Sequence, residues 1–208
     1  MTSPTHTDFI KALQESAEDY GIALDVESVA GLSSYYELLN SWNPRLHLVA
    51  PTSPQEFATR HVLESLVLLH HLDDGSRVAD VGSGGGLPIL PCLIVERRIT
   101  ATLIESSKKK AVFLREALNH LKLSERATVV PLRFEVVATP NVDFVTCRAV
   151  ERFEELLPEL IDWAPSSATL LLFGGEGLRT QLIKSGLSVE GHLLPNSERR
   201  FLFVVRKR

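Results

Sequence analysis

The segment Asp80-Val81-Gly82-Ser83-Gly84-Gly85-Gly86-Leu87-Pro88 constrains this chain more than any other. It continues an apolar run, Arg77-Val78-Ala79-Asp80-Val81, that reads as a short buried strand, and it opens a helix with Pro88 in the first turn. Glycines at such a place let the main chain turn tightly and let a ligand approach the backbone. The helix N-terminus adds amide donors and a partial positive charge. The dinucleotide fingerprint G-x-G-x-x-G, started at Gly82, needs glycine at 87, where this chain has Leu87. The glycines instead alternate at 82, 84 and 86, preceded by Asp80.

The rest of the chain places this loop in an α/β fold. Upstream the pattern is helical. Asp8 is positioned to cap a helix ending near Gly21, and Asp25 a second that Asn43-Pro44 should stop. A third is expected from about Gln55 to His71. After residue 74 the rhythm changes to strand 77–81, helix 88–97, strand 100–105, helix 107–121, strands 127–132 and 142–147, helix 152–163 and strand 168–173. Alternating strands and helices predict a mostly parallel sheet covered on both faces. Residues 187–194 and 201–205 read as an antiparallel edge hairpin, giving seven strands. The expected division is an N-terminal helical extension (1–74) and an α/β domain (75–208), which could also pack as one unit.

Composition narrows the function classes. Of 208 residues 44% are hydrophobic, enough to offset ordering entropy and exclude bulk disorder. No apolar run reaches the length of a membrane span, and MTSPTHTDF has no apolar core of a secretory signal. Cys92 and Cys147 are the only cysteines and form no C-x-x-C pair, so neither a disulfide framework nor a structural metal is expected, and a cytoplasmic address is. Lys+Arg 22 against Asp+Glu 26 argues against indiscriminate coating of nucleic acid but permits a local basic patch.

D-x-G-x-G-x-G resembles the first motif of the class I S-adenosylmethionine methyltransferases, whose Rossmann-like fold this pattern of elements matches. The resemblance implies that the loop wraps an amino-acid nucleoside rather than a pyrophosphate. Glu105, ending Thr102-Leu103-Ile104-Glu105, is placed to accept from both ribose hydroxyls. Three other readings stay open: a plain tight turn, Glu105 as a cap for the helix starting near Ser106, and a nicotinamide dehydrogenase.

Further segments resemble the GidB family (glucose-inhibited division protein B), ribosomal RNA methyltransferases acting at guanine nitrogen-7 of the small subunit (16S). They are Trp42-Asn43 with Leu46-His47-Leu48, Arg60 to Leu66, Glu105-Ser106 with Lys108-Lys109 and Phe113-Leu114, Cys147-Arg148-Ala149-Val150, and Arg199 with Phe201 to Val205. The similarity spans residues 35 to 208. Against the family pattern, Glu64 stands for Asp, Cys147 for Ser and Phe173 for Lys, while His47 and Val49 fall where Asn and Thr are common.

The resemblance implies S-adenosyl-L-methionine as cofactor, S-adenosyl-L-homocysteine as product, and ribosomal RNA or the small ribosomal subunit as partner of a monomer, with neither membrane nor metal. It implies cofactor contacts from Gly82, Ser83, Gly84, Gly86, Leu87, Glu105, Phe134, Glu135 and Arg148. Nitrogen-7 has an in-plane lone pair and no proton to remove, so in-line displacement needs positioning rather than a general base. Arg148 and His61 are the positioning candidates. The alternatives are a salt bridge from Arg148 to Glu151, a domain-seam hydrogen bond for His61, an Arg60–Glu64 pair four residues apart, and Trp42 as core. Phosphate contacts could come from Arg97, Arg98, Lys108 to Lys110, Arg115, Arg199, Arg200 and the tail Arg206-Lys207-Arg208. A methyltransferase of another substrate and a non-catalytic nucleoside-binding protein are the rival functions.

Overall fold

The computed structural model describes residues 4–148 and 153–207. Its centre is a seven-stranded sheet in the order β3-β2-β1-β4-β5-β7-β6. Strands β1 (Arg77–Val81), β2 (Thr100–Ile104), β3 (Ala127–Val130), β4 (Phe144–Cys147) and β5 (Thr169–Gly174) pair in parallel. The hairpin β6 (Ser188–Leu193) and β7 (Phe201–Arg206) adds antiparallel, with β7 against β5 and β6 outermost. Val81 is in register with both Ile104 and Cys147, so three strands end at one level. Chain order reverses direction beside β1, which opens a crevice at the carboxyl ends of β1 and β4.

Upstream lie α1 (Pro4–Ser16), α2 (Val26–Leu46) and an irregular rod. The rod is α3 (Pro54–Glu56), a π-helical stretch (Phe57–Leu63), α4 (Glu64–Leu66) and a 3-10 turn (Val67–His71). The sheet is flanked by α5 (Ile89–Val95), α6 (Lys108–His120), α7 (Phe153–Trp163) and α8 (Glu176–Lys184). Each face of the sheet carries its own apolar cluster. On one, Phe9, Leu13, Tyr35, Phe57 and Leu68 of the extension join Val78, Leu103, Phe113, Leu171 and Val204. On the other, Val81, Ile104, Phe134, Leu160, Leu178 and Phe203 pack together.

Several expected boundaries move. Helix α1 starts at Pro4, so Asp8 sits inside it rather than capping it. Asp25 does cap α2, accepting the Ser28 N–H at 2.7 Å. Pro44 does not stop α2, which runs on to Leu46. Only the final turn has to tolerate the missing donor. The stop comes at His47, in a left-handed conformation at φ 49. There the Asn43 side chain holds Val49 by donating to its carbonyl and accepting its N–H. Helix 88–97 is shorter than expected at Ile89–Val95, and β3 ends at Val130, two residues early, which frees Leu132 to Glu135 to approach the crevice. Helix α8 is an addition that the pattern did not announce. Ala149, Val150, Glu151, the first residue of the expected helix 152–163 and Arg208 lie outside the described residues. No described helix is long and apolar enough to cross a membrane.

Candidate functional site

The glycine loop leaves β1 and folds back over β2. The N–H groups of Gly82 and Ser83 both donate to the Ile104 carbonyl, at 2.8 and 3.2 Å. Three glycines of the loop, Gly82, Gly84 and Gly86, adopt positive φ, Gly82 at +72. At Gly86, φ is +87 and a Cβ would stand 2.2 Å from Leu90 Cδ1. At Gly84, φ is +53, but a Cβ would meet nothing closer than the Gly82 carbonyl at 3.6 Å, so the main chain here is open to an approaching group. Leu87 packs against the extension-side core.

Glu105 follows the last residue of β2 and is buried. One carboxylate oxygen accepts the Gly84 N–H at 2.8 Å and the other the Ser107 N–H at 2.7 Å. Ser107 is the N-cap of α6, so Glu105 ties the glycine loop to the residue that caps the helix and is not itself the cap.

Beside this contact is a cleft of ≈ 150 Å³ lined by Val81, Gly82, Ile104, Leu132, Phe134, Cys147, Leu156 and Leu160. Its lining also includes Ser106, Arg133 and Glu135. Phe134 is buried and meets Trp163 edge-on, at 5.7 Å between centroids. Arg133 donates to the Glu135 carboxylate, and that contact lowers the pKa of Glu135. Burial pushes the Cys147 thiol well above its ordinary pKa, so it serves as apolar lining and not as a thiolate nucleophile.

Asp80 is the functional candidate that sequence reading passed over as a mere part of the motif. Its side chain lies wholly inside the protein, and neither carboxylate oxygen has a hydrogen-bond partner among the described residues. Burial pushes its pKa up to about 7. The neighbouring Ser83 hydroxyl opposes that shift, although its proton goes to the Asp80 carbonyl at 2.9 Å, and the Glu105 charge adds to it. The signal in the sequence is an acid set among the apolar residues Val78, Ala79 and Val81 of a buried strand end.

Arg148 and His61 meet at the carboxyl end of β4, but mainly through the His61 main chain. The Arg148 guanidinium donates to the carbonyls of Arg60 and His61, to Ser65 Oγ at 3.0 Å and to Glu64 Oε2 at 3.1 Å. The wide π-helical turn explains these acceptors. Glu64 N–H reaches back to the Thr59 carbonyl, five residues away, so the hydrogen-bond ladder is offset and carbonyls become available to an outside donor. Phe173, where the family pattern has Lys, lays its ring 5.0 Å from the Arg148 guanidinium carbon. Burial lowers the Arg148 pKa, and Glu64 opposes the shift.

The expected Arg60–Glu64 pair is replaced. Arg60 turns to Glu56, while Glu64, fully buried, accepts from Arg148 and from Arg200 Nε at 2.8 Å. The His61 ring rests against Phe57, and burial with the nearby Arg148 lowers its pKa to about 4, leaving it neutral at pH 7. Trp42 packs on Phe113 at 5.8 Å and belongs to the core. Among the described residues no group of three or more His, Cys, Asp or Glu side chains could hold a metal ion.

A family model described as GidB, rRNA small subunit methyltransferase G, matches residues 28–187. A protein from Xanthomonas axonopodis pv. citri named ribosomal RNA small subunit methyltransferase G is 42% identical over 130 residues, covering 62% of this chain and 60% of that relative. One of the same name from Sorangium cellulosum is 36% identical over 172 residues, covering 79% and 72%. The match thus spans less than two thirds of the Xanthomonas relative's length. Among solved structures, a SAM-dependent methyltransferase from Aquifex aeolicus superposes with a TM-score of 0.59 at 17% identity, over 82% of this chain and 97% of that one. TYW2 of M. jannaschii, solved with AdoMet, gives 0.53 at 15% identity over 70% and 73%. These two share the fold.

Proposed function

This chain belongs to the GidB family, and we propose that it transfers a methyl group from S-adenosyl-L-methionine to nitrogen-7 of a guanine in small-subunit (16S) ribosomal RNA. S-adenosyl-L-homocysteine is the product. The observation that carries this reading is the Gly84–Glu105 contact beside an apolar cleft.

The residues present fit such a cofactor. The buried Asp80 carboxylate has no hydrogen-bond partner among the described residues, which suits an ammonium group. Glu105 spends one lone pair of each oxygen on the main chain and keeps others for ribose hydroxyls. The open side of Gly84 admits close approach, with Gly82, Ser83, Gly86 and Leu87 forming the rest of the loop. Ile104, Leu132, Phe134 and Leu156 offer apolar walls to a purine, with the main chain at Glu135 at its edge.

The cofactor supplies an electrophilic methyl on a sulfonium. Guanine nitrogen-7 needs no deprotonation, so this chain's residues act by positioning and by excluding water. Arg148 is a positioning residue in this account: it fixes the π-helical turn, and with it the neutral His61, against the end of β4. The same reading has residues 1–74 and 75–208 working as one unit. It further has a monomer acting in the cytoplasm on ribosomal RNA or the assembled small subunit.

Mass mapping of ribosomal RNA from a strain lacking this protein tests the proposal. One guanine methyl should disappear from the small-subunit RNA. Retention of every guanine methyl would contradict it.

A further inference from the structure

We infer that the C-terminal end of α2 and the first turn of α6 form one docking surface for the phosphate backbone of folded RNA. The inference rests on the methyltransferase reading for the direction in which the RNA must approach, and on independent observations for its location.

Four arginines elsewhere on the molecule face acids, Arg77 on Asp143, Arg97 on Glu27, Arg98 on Asp74 and Arg206 on Glu190, while the other exposed cations without an ion pair among the described residues, Lys122, Lys184 and Arg199, stand singly after α6, at the end of α8 and before β7. Arg45, Lys108, Lys109, Lys110 and Arg115 have no ion pair with any described residue. These residues are not scattered. Lys108 to Lys110 occupy the first turn of α6, which carries no acid. Lysines there oppose the helix macrodipole, which the Glu105 carboxylate at the Ser107 N–H offsets only in part. Such conflicts concentrate at functional sites.

Helices α2 and α6 run antiparallel. Ser34 Oγ meets His120 Nε2 at 2.9 Å towards one end, and Trp42 meets Phe113 nearer the other. That direction brings the exposed Arg45 and His47, at the end of α2, towards the lysine turn. The patch also borders the site. Ser107, which caps α6, donates to Glu105, and Leu48, just beyond α2, lies against Gly85. Glu116 is the acid on α6 itself and sits two turns further along.

Cations spread over two helices match a row of phosphates better than a single small anion. Val112 is the one large apolar side chain exposed on α6, which leaves little to insert into a lipid surface.

The test compares the wild type with K108A/K109A/K110A and with a control, R97A/R98A. Each is titrated into naked 16S ribosomal RNA, purified small subunits and phosphatidylglycerol vesicles over a range of salt. The lysine variant should lose roughly ten- to hundredfold in affinity for the RNA or the subunit, and its log K against log salt should flatten by about two to three. The control should keep the wild-type slope, and calorimetry should show cofactor affinity within about twofold in all three proteins. An unchanged slope in the lysine variant, no binding of the wild type to RNA or subunit, or lysine-dependent binding to vesicles alone would overturn the inference. Lysine-dependent RNA binding without methyl transfer supports the surface and contradicts only the catalytic reading. Normal methyl transfer with an unchanged slope does the reverse.

Discussion

The hydroxyl of Tyr35, on α2, donates to the carbonyl of Gly85, in the glycine loop, at 2.7 Å and out of reach of solvent. The N-terminal helices therefore hold the main chain of the loop directly. Tyr35→Phe removes one oxygen and leaves a buried carbonyl without its donor. That costs about 1–3 kcal/mol. A thermal melt should fall by several degrees, and calorimetry should find S-adenosylmethionine bound roughly three- to tenfold more weakly, with the turnover rate at saturating cofactor nearly unchanged. Wild-type affinity in a destabilised variant would show that the contact serves folding alone.

Asp80 makes both stability and cofactor binding depend on pH. Its pKa rises from 3.8 to about 7 on folding, so between those values the native state binds more protons than the unfolded chain. Stability from this group is present below the lower value and is lost as pH rises towards about 7. Urea denaturation of wild type and Asp80→Asn over that range should show the decline in the difference between them. An ammonium ligand favours the ionised acid. Wild-type affinity for S-adenosylmethionine should therefore rise with pH up to about 7, by as much as about tenfold per unit, and Asp80→Asn should be weaker and flat.

Glu64 is fully enclosed between Arg148 and Arg200, the first nearly buried and the second partly so. Glu64→Ala leaves a buried guanidinium uncompensated, a loss of about 3–5 kcal/mol. Glu64→Asp, which restores the family's residue, should cost less, because the charge stays while the reach shortens. Chemical denaturation at pH 7 distinguishes these. An alanine variant as stable as the wild type would mean that Arg148 finds another acceptor.

The glycine loop, the acid after β2 and the edge hairpin are legible in the sequence, because each rests on local spacing or turn chemistry. Arg148 is legible as a residue at a strand end but not in its partners, which lie 83 to 88 positions away on the π-helical rod. The π-helical stretch is hidden because its apolar residues still fit ordinary helical spacing. Helix α8 is hidden because it buries only Leu178 and Leu182 and begins after Gly174-Gly175. Pro44 misleads because one proline in the last turn removes a single bond, which the Asn43 clasp on Val49 offsets. Asp80 is visible as part of the motif, but its missing partner shows only in three dimensions.

In the proposed function the alternate glycines, Asp80 and Glu105 hold a sulfonium nucleoside. Calorimetric titration of the intact protein with S-adenosylmethionine, S-adenosylhomocysteine and a pyridine dinucleotide tests it most directly. One equivalent of each adenosyl compound should bind, weakened at least tenfold by Glu105→Ala, and the dinucleotide should give no heat. Uptake of the dinucleotide with no binding of either adenosyl compound would contradict it.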